Sequence, residues 1–528
     1  SSFDRGETWR HHNNLAVGQF YEIGVDMRDP YYVCGGLQDN SSWCGPIHSL
    51  NTYGIRNSDW YDVSGGDGFY NRIDPTDPRI VYTESQNGNL SRVDVATGEA
   101  ARIRPIARPT PDDSARNYRF NWNTPIHISW HDPATIYIGA NHLLRSRDRG
   151  AKWEEASPDL TRRIDRDTLP IMGMKVDSTT LSRHDGVSAY GTITVIGESP
   201  IEPGVLYVGT DDGMLHVTRD GGATWTDITG NVPGLVHGML VSGIEPSRHV
   251  PGRVYLAFDG HQIDDYRPYV FVSEDYGRKW KRITEGLPAW SVNVVREHPR
   301  TADLLFVGNE IGAYASFDRG GRWHRLTGNL PTVPVDDIVI HPRENDLILA
   351  THGRSIWVLD DASPLEALTR RETLTAAATL FPVRRATAWA LAGAWPFWGD
   401  AYAAPNPPDG AILRYWIGEA PAAPAIAAAV DGGVRATAAK ASPAEARRKA
   451  AKDDEPKVRL SILDAAGTVV RTIEAPGTVG LHEVVWDLRL DPPYEPEPGA
   501  GQGGGPPRAP RVLPGTYTVR LETDAVTR

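Results

Sequence analysis

Short apolar runs recur through residues 17–361, each bounded by turn-forming residues. One unit reads as an apolar strand, often an Asp-Pro or His-Pro turn, a second apolar strand ending in a small residue, a small-residue hairpin and a further strand. The pattern is visible in IGVDMRDPYYVCGG (23–36), RIDPTDPRIVYTES (72–85), HISWHDPATIYIGA (127–140) and GESPIEPGVLYVGT (197–210). It continues in IEPSRHVPGRVYLAF (244–258), VREHPRTADLLFVGN (295–309) and VIHPRENDLILATHG (339–353). That makes seven units between about 17 and 361. Few stretches carry the helical spacing of apolar residues, so the chain is expected to be all-β.

A second signal is laid over the first. VTRDGGATWTDI (217–228) holds a hydroxyl, an aspartate, a glycine and a tryptophan in the order Ser/Thr-x-Asp-x-Gly-x-x-Trp. The order returns in SSFDRGETW (1–9), SRDRGAKW (146–153), SEDYGRKW (273–280) and SFDRGGRW (316–323). Locally this is a recipe for a turn. The hydroxyl and carboxylate accept or donate to nearby backbone. The glycine takes a backbone conformation that a side chain would strain, and the tryptophan buries its ring. Asp4, Asp148, Asp220, Asp275 and Asp318, with Trp9, Trp153, Trp225, Trp280 and Trp323, are therefore read as structural rather than as five carboxylates for catalysis or calcium. Their aspartates lie 144, 72, 55 and 43 residues apart, and the first gap is three times 48. Four short strands repeating with a period near 45–50 residues predict a β-propeller.

The seventh unit ends at SIWVLDD (355–361) with three strands and no motif, whereas residues 1–13 are a motif plus a strand. Residues 1–13 are expected to pair with 355–361 and close the last blade, removing an open sheet edge. Beyond 361 the pattern changes. Residues 362–395 read as a connector with one short helix. Residues 396–528 carry strands at AILRYWIG, KVRLSILDAAGTVVRTIEA, LHEVVWDLRL and GTYTVRLETD. Two insertions interrupt them: the Ala-rich 419–456, where SPAEARRKAAK suits a capped helix, and the Pro/Gly-rich 491–510.

Composition narrows the function classes. The net charge is −12, and no Lys/Arg cluster alternates with aromatics, so nucleic acid is not an expected partner. No apolar run reaches the length of a membrane span. The two cysteines, Cys34 and Cys44, bracket one hairpin. They either face each other in a disulfide, the preferred reading, or remain two buried thiols. A bonded pair implies an extracellular or periplasmic site. No signal peptide opens the chain, which begins inside a motif copy, so sequence upstream of residue 1 is expected.

The motif copies, with GGLQDNSSW, GGDGFY, RFNWNTPI, YGTITVI, VGTDDG, AFDGHQIDDYRPY and THGRSIWVLDD, resemble the Asp-box, or bacterial neuraminidase repeat, propellers. The similarity is to the bacterial sortilin-like proteins often labelled glycosyl hydrolase. It covers roughly 1–361 and only weakly the rest. The resemblance implies an Asp-box β-propeller, to which the seven units give seven blades, and an additional propeller upstream. The strands after 396 resemble the Ig-like sandwich of flagellar hook-capping proteins. Such turns occur in lectins, receptors and hydrolases alike, so they imply fold rather than activity.

In a four-stranded blade the hairpin between the second and third strands and the crossover to the next blade share one face. That face should carry Gln38, Asp39, Asn40, Trp43, Asn87, Asn89, Asn141, His142, Asp211, Asp212, Asp259, His261, Asp264, Asp265, Asn309, Glu310, His352 and Arg354. Crossovers add Gln19, Asp67, Asn121, Trp122, Asn123, Tyr190 and Asp337. Asp and Asn in hairpins often only make turns, but turns do not require Trp43, Trp122, His261, His352 or Arg354. Amides and carboxylates for hydroxyls, with aromatics under sugar rings, suit a glycan. The ligand-binding candidates are Gln38, Asn40, Trp43, Trp122, Asn123, His261, His352 and Arg354. The favoured reading is a secreted binding or scaffold protein engaging a glycan, a peptide or a partner protein. The alternative is a glycoside hydrolase, whose two carboxylates would come from Asp39, Asp67, Asp212, Asp259 and Glu310. No cofactor is expected. DGHQIDD (259–265) offers oxygen ligands for calcium, though not at the EF-hand spacing.

Overall fold

The computed structural model describes residues 1–12, 15–109, 117–170, 173–181, 189–235, 238–392, 402–418, 457–492 and 509–523. The chain divides into two compact units: residues 1–362 with 391–407, and residues 363–390 with 408–528. Among the described residues no helix is long and apolar enough to cross a membrane.

The first unit is a succession of antiparallel meanders, and the strand order within each follows the chain. Six sheets have four strands and a seventh has three. Their first strands are Phe20–Val25, Gly68–Ile73, Ile126–Ile128, Ile193–Glu198, Leu240–Pro246, Val292–Glu297 and Val335–Ile340. Each first strand neighbours that of the next sheet, and Val335–Ile340 lies beside Phe20–Val25. The sheets thus close a ring, which is a β-propeller. The second strands, such as Leu206–Thr210 and Leu305–Asn309, are buried along their whole length, because both of their faces meet a neighbouring sheet. The first strands line a central cavity of about 470 Å³.

The repeated turn folds alike in all five copies. Thr218 Oγ1 donates to Asp220 Oδ1 at 2.8 Å and accepts from Gly222 N at 3.0 Å, and Asp220 Oδ1 accepts from Thr224 N at 2.9 Å. The equivalent bonds form at Ser2/Asp4, Ser146/Asp148, Ser273/Asp275 and Ser316/Asp318. The turn needs two successive left-handed residues, for example Arg319 at φ 61° and Gly320 at φ 85°, which explains the fixed glycine. The tryptophan then reaches backward. Trp153 Nε1 donates to Ile103 O, Trp225 Nε1 to Ala156 O and Trp323 Nε1 to Ile283 O, each acceptor just beyond the last strand of the preceding sheet. In these three copies the motif is an inter-sheet staple as well as a turn, whereas Trp280 Nε1 is buried without an acceptor.

Trp9 departs from the expected packing, with 76% of its surface exposed. Residues 1–12 also form no strand, and the expected pairing of 1–13 with 355–361 is not present among the described residues. Instead Ser1 and Arg10 exchange backbone bonds, both at 2.7 Å, closing the segment on itself. The ring is shut by other groups. Tyr31 stacks on His341 at 4.0 Å and donates to Asp346 at 2.9 Å. His341 Nε2 meets Asp26 O at 2.9 Å, and Arg343 donates to the carbonyls of Met27 and Arg28.

Cys34 and Cys44 are register partners on adjacent strands and are disulfide-bonded, with Cα atoms 4.0 Å apart. Residues 391–407 belong to the first unit, where Ala403–Ala404 pairs with Ile55–Arg56. The segment expected as a connector holds two short helices, Ser363–Leu368 and Arg371–Thr375, and a strand, Ala378–Leu380. That strand joins Ala411–Ile417 and Gly480–Trp486 in one sheet of the second unit. The other sheet is Lys457–Leu463 between Val469–Pro476 and Thr518–Glu522. Leu413, Tyr415 and Trp486 from one sheet and Leu460, Ile462 and Leu521 from the other share a single core. The insertion at 419–456, with its expected helix, lies outside the described residues, as does most of 491–510.

Candidate functional site

The face built from the second-to-third-strand hairpins and the inter-sheet crossovers is decided by a defect repeated in the first strands. Six of them carry a register shift near their start, between Phe20/Ile23, Gly68/Asn71, Ile193/Val195, Val241/Gly243, Val292/Val294 and Val335/Asp337. A bulge re-aims the extra side chain. In three successive sheets the re-aimed residue is a neutral donor that bonds the next sheet: Thr194 Oγ1 to Val241 O, Ser242 Oγ to Val292 O and Asn293 Nδ2 to Val335 O. In the seventh sheet the same slot holds Asp336, which has no proton to donate as a carboxylate. It accepts instead, from Asn293 Nδ2 at 3.2 Å, and pairs with His352 Nδ1 at 2.9 Å.

Asp336 therefore anchors a polar centre across the fifth, sixth and seventh sheets. Asp259 and His261 pair at 2.5 Å in the fifth-sheet hairpin, and Asp259 also accepts from the His261 backbone at 2.9 Å. Glu310, from the sixth-sheet hairpin, sits beside Asn293 and feels the charge of Asp336, Asp259 and His261. The carboxyls respond in opposite directions. Burial pushes Glu310 up, with Asp336 and Asp259 adding to it. Burial likewise raises Asp336, against the opposing hydrogen bond from His352. Asp259 is lowered: burial acts to raise it, but its bonds to the His261 ring and backbone outweigh that. Both imidazoles are raised, chiefly by the hydrogen bond to their own aspartate. Tyr266 and Trp290 stand edge to face at 6.2 Å, 45% and 40% exposed, on the hairpin that carries Asp259 and on the crossover that follows that sheet.

His352 extends this centre toward the first sheet. Its ring lies 5.8 Å from Tyr21, which in turn lies 6.2 Å from Trp122. Tyr21 donates to Gln38, and Asp67 accepts from Gln38 Nε2, Asp39 N and Gln86 Nε2. Among the expected residues, Asp259, His261, Glu310 and His352 are thus brought together, and Gln38, Asp39, Asp67 and Trp122 adjoin them through Tyr21.

Other expected residues serve the scaffold. Asp212 is fully buried, with its oxygens taken by Thr210 Oγ1 and Arg162 N, so it has no free face for a substrate. Asn40 and Trp43 bond within their own hairpin. Asn123 accepts nothing at its buried Oδ1 and closes a turn onto Asn121. Asp337, expected on a crossover at this face, is 1% exposed in the wall of the central cavity, where it pairs with Arg296 at 2.7 Å. Arg354 is exposed, and its guanidinium makes no ion pair among the described residues, so it does not neutralise the acidic centre. Asp259 and Asp265 face different partners, His261 in one case and Arg267 and Tyr269 in the other. No cluster of three or more His, Cys, Asp or Glu fit for a metal occurs among the described residues. Asp336, Asn293, Tyr21, Tyr266 and Trp290 were not anticipated. Aligning the units on their bulges would have exposed Asp336 as the one carboxylate among Thr194, Ser242 and Asn293.

No family model matches the chain, and no curated protein does. Solved structures similar to it include a GH74 xyloglucanase from Xanthomonas campestris, at 17% identity and a TM-score of 0.44 over 66% of this chain and 53% of that one. A GH74 enzyme from Niastella koreensis matches at 13% identity and 0.44 over 66% and 53%. An ancestral GH74 enzyme matches at 12% and 0.47 over 68% and 47%. The chain spans about half the length of these structures.

Proposed function

We propose that this is an extracytoplasmic seven-bladed propeller with Asp-box turns and an Ig-like second domain, whose hairpin face binds a glycan. The observation that carries the reading is the exposed Tyr266–Trp290 pair on the hairpin and crossover of the sheet that carries Asp259, whose charge, with that of Asp336, is felt by Glu310. Aromatic faces take the apolar side of a sugar ring, and carboxyl and imidazole groups take its hydroxyls. The single disulfide supports placement outside the cytoplasm.

A second reading, hydrolysis, is favoured by the divergence among the carboxyls. Glu310 is held toward its protonated form and Asp259 toward its ionised form. Carboxyl environments pushed apart are what an acid and its anionic partner require. Glu310 would donate the proton to the leaving oxygen, and Asp259 would act as the anionic partner. A glycan array and a hydrolysis screen, run on the intact chain with Trp290→Ala and Glu310→Gln, test both readings. Loss of binding in Trp290→Ala supports the glycan face. Turnover lost in Glu310→Gln with binding retained supports hydrolysis. Binding without turnover in the wild type leaves the binding reading alone, and absence of any glycan binding refutes both.

A further inference from the structure

We infer that the glycan face carries an anion subsite at Arg102 and Arg104, and that its ligand is an acidic glycan; this inference rests on the glycan reading above. The sequence ARIRP places these arginines two apart at the end of Glu99–Arg102, the last strand of the second sheet. Residues two apart in extended backbone share a side. The strand rises toward the hairpin face, and both guanidinium groups reach the tip of the 86–89 hairpin. Arg102 Nη2 donates to Asn89 Oδ1 at 3.4 Å, and Arg104 Nη2 donates to Asn87 O at 3.2 Å. Arg104 also lies over the Phe120 ring, 4.8 Å from its centre.

Neither arginine has a carboxylate partner among the described residues, in a protein whose net charge is −12. Arg104 Nε is buried with no acceptor at all. Burial, together with the neighbouring charge of Arg102, acts against the protonated form of Arg104. Two like charges side by side are costly, and an anion bound at their exposed guanidinium edges would relieve that repulsion. A guanidinium fork suits a planar carboxylate or an anionic ester oxygen pair. The subsite is continuous with the site already described: Asn87 N bonds Trp122 O, and the same hairpin supplies Gln86 to Asp67. A chain of sugars running from Tyr21 past Trp122 would bring an acidic substituent to these arginines. Carboxylate and sulfate share the chemistry, so both are tested.

The experiment measures binding by calorimetry to the full chain with three probes: oligogalacturonate for carboxylate, chondroitin sulfate oligosaccharide for sulfate, and cello-oligosaccharide as the neutral control. Arg102→Gln and the double variant Arg102→Gln/Arg104→Gln are compared with wild type, with thermal melts confirming folding. Because Arg102 is exposed, its variant stays informative if loss of the Arg104–Phe120 contact disturbs the double variant. The expected result is tighter wild-type binding of at least one acidic probe than of the neutral one, weakened by added salt, and lost roughly tenfold or more in the variants. Neutral binding should be unchanged in the variants and lost in Trp290→Ala. Equal binding of acidic and neutral probes, or acidic binding indifferent to both variants, overturns the subsite while leaving the glycan face intact. Failure of every probe overturns the subsite and the glycan reading together.

Discussion

The staple formed by the repeated tryptophan can be tested by comparing two copies of one motif. Trp323 is 2% exposed, packs with Ile283, Leu305 and Tyr314, and donates to Ile283 O at 2.7 Å. Trp9 stands at the same motif position and is 76% exposed. Truncating a buried aromatic to alanine costs about 3–5 kcal/mol through lost transfer energy and a residual cavity. Leaving the Ile283 carbonyl without its donor adds about 1–3 kcal/mol. Taken together, Trp323→Ala should cost about 5 kcal/mol or somewhat more, since the cavity collapses partly. For the roughly 380 residues of the first unit the unfolding entropy is about 0.8 kcal/mol per kelvin, so the melting temperature should fall by roughly 6 °C. Trp323→Phe keeps most of the ring and isolates the hydrogen bond, at about 1–3 kcal/mol. Trp9→Ala should lie within about 0.5 kcal/mol of wild type, as an exposed residue with no staple to lose. Differential scanning calorimetry on the full chain reads all three. Equal effects of Trp9→Ala and Trp323→Ala would refute the claim that the tryptophan acts by reaching the preceding sheet.

Three further outcomes are expected. Replacing Cys34 and Cys44 together by Ala frees a loop of sequence separation 10, and the chain-entropy relation puts the loss at about 2.7 kcal/mol; a denaturant midpoint equal to wild type would contradict it. His261 should titrate above its ordinary value because Asp259 bonds its protonated ring, so its stabilising contribution is present below about pH 6.5 and fades as pH rises through the elevated midpoint. Asp259→Asn should return the His261 midpoint, followed by NMR, toward 6.5, and an unmoved midpoint would assign the shift elsewhere. Asp211 is raised to about 6 mainly by burial, so folding is most favoured with it protonated and loses stability as pH climbs from about 4 past 6, by about 3 kcal/mol. Asp211→Asn should therefore look better by a similar amount at pH 8 than at pH 4, and a pH-independent difference in chemical melts would count against it.

The sequence by itself determined the local geometry. The Ser/Thr-x-Asp-x-Gly-x-x-Trp order dictates a turn with two left-handed residues, because hydroxyl, carboxylate and glycine act within five consecutive residues. Alternating apolar runs dictate short strands, and the cysteine spacing brings Cys34 opposite Cys44 across one hairpin. Tertiary structure decided whatever depends on a neighbour in the next sheet. Trp9 and Trp323 each follow the same SFDRG turn, yet of the two only Trp323 finds a carbonyl to bond. The first unit closes through Tyr31, His341 and Arg343, whose partners lie more than 300 residues away in the chain, rather than through residues 1–13. Asp212 and Asp259 look alike as hairpin carboxylates. Asp212 is consumed by Thr210 and Arg162, whereas Asp259 is left beside His261 and Glu310. Asp336 and Asp337 are adjacent in sequence, but a bulge sends one to the hairpin face and the other into the wall of the cavity. Hydrogen bonds within a turn span a few residues and are legible in order. Bonds between sheets join residues tens or hundreds apart, and only the closed ring brings those partners within reach.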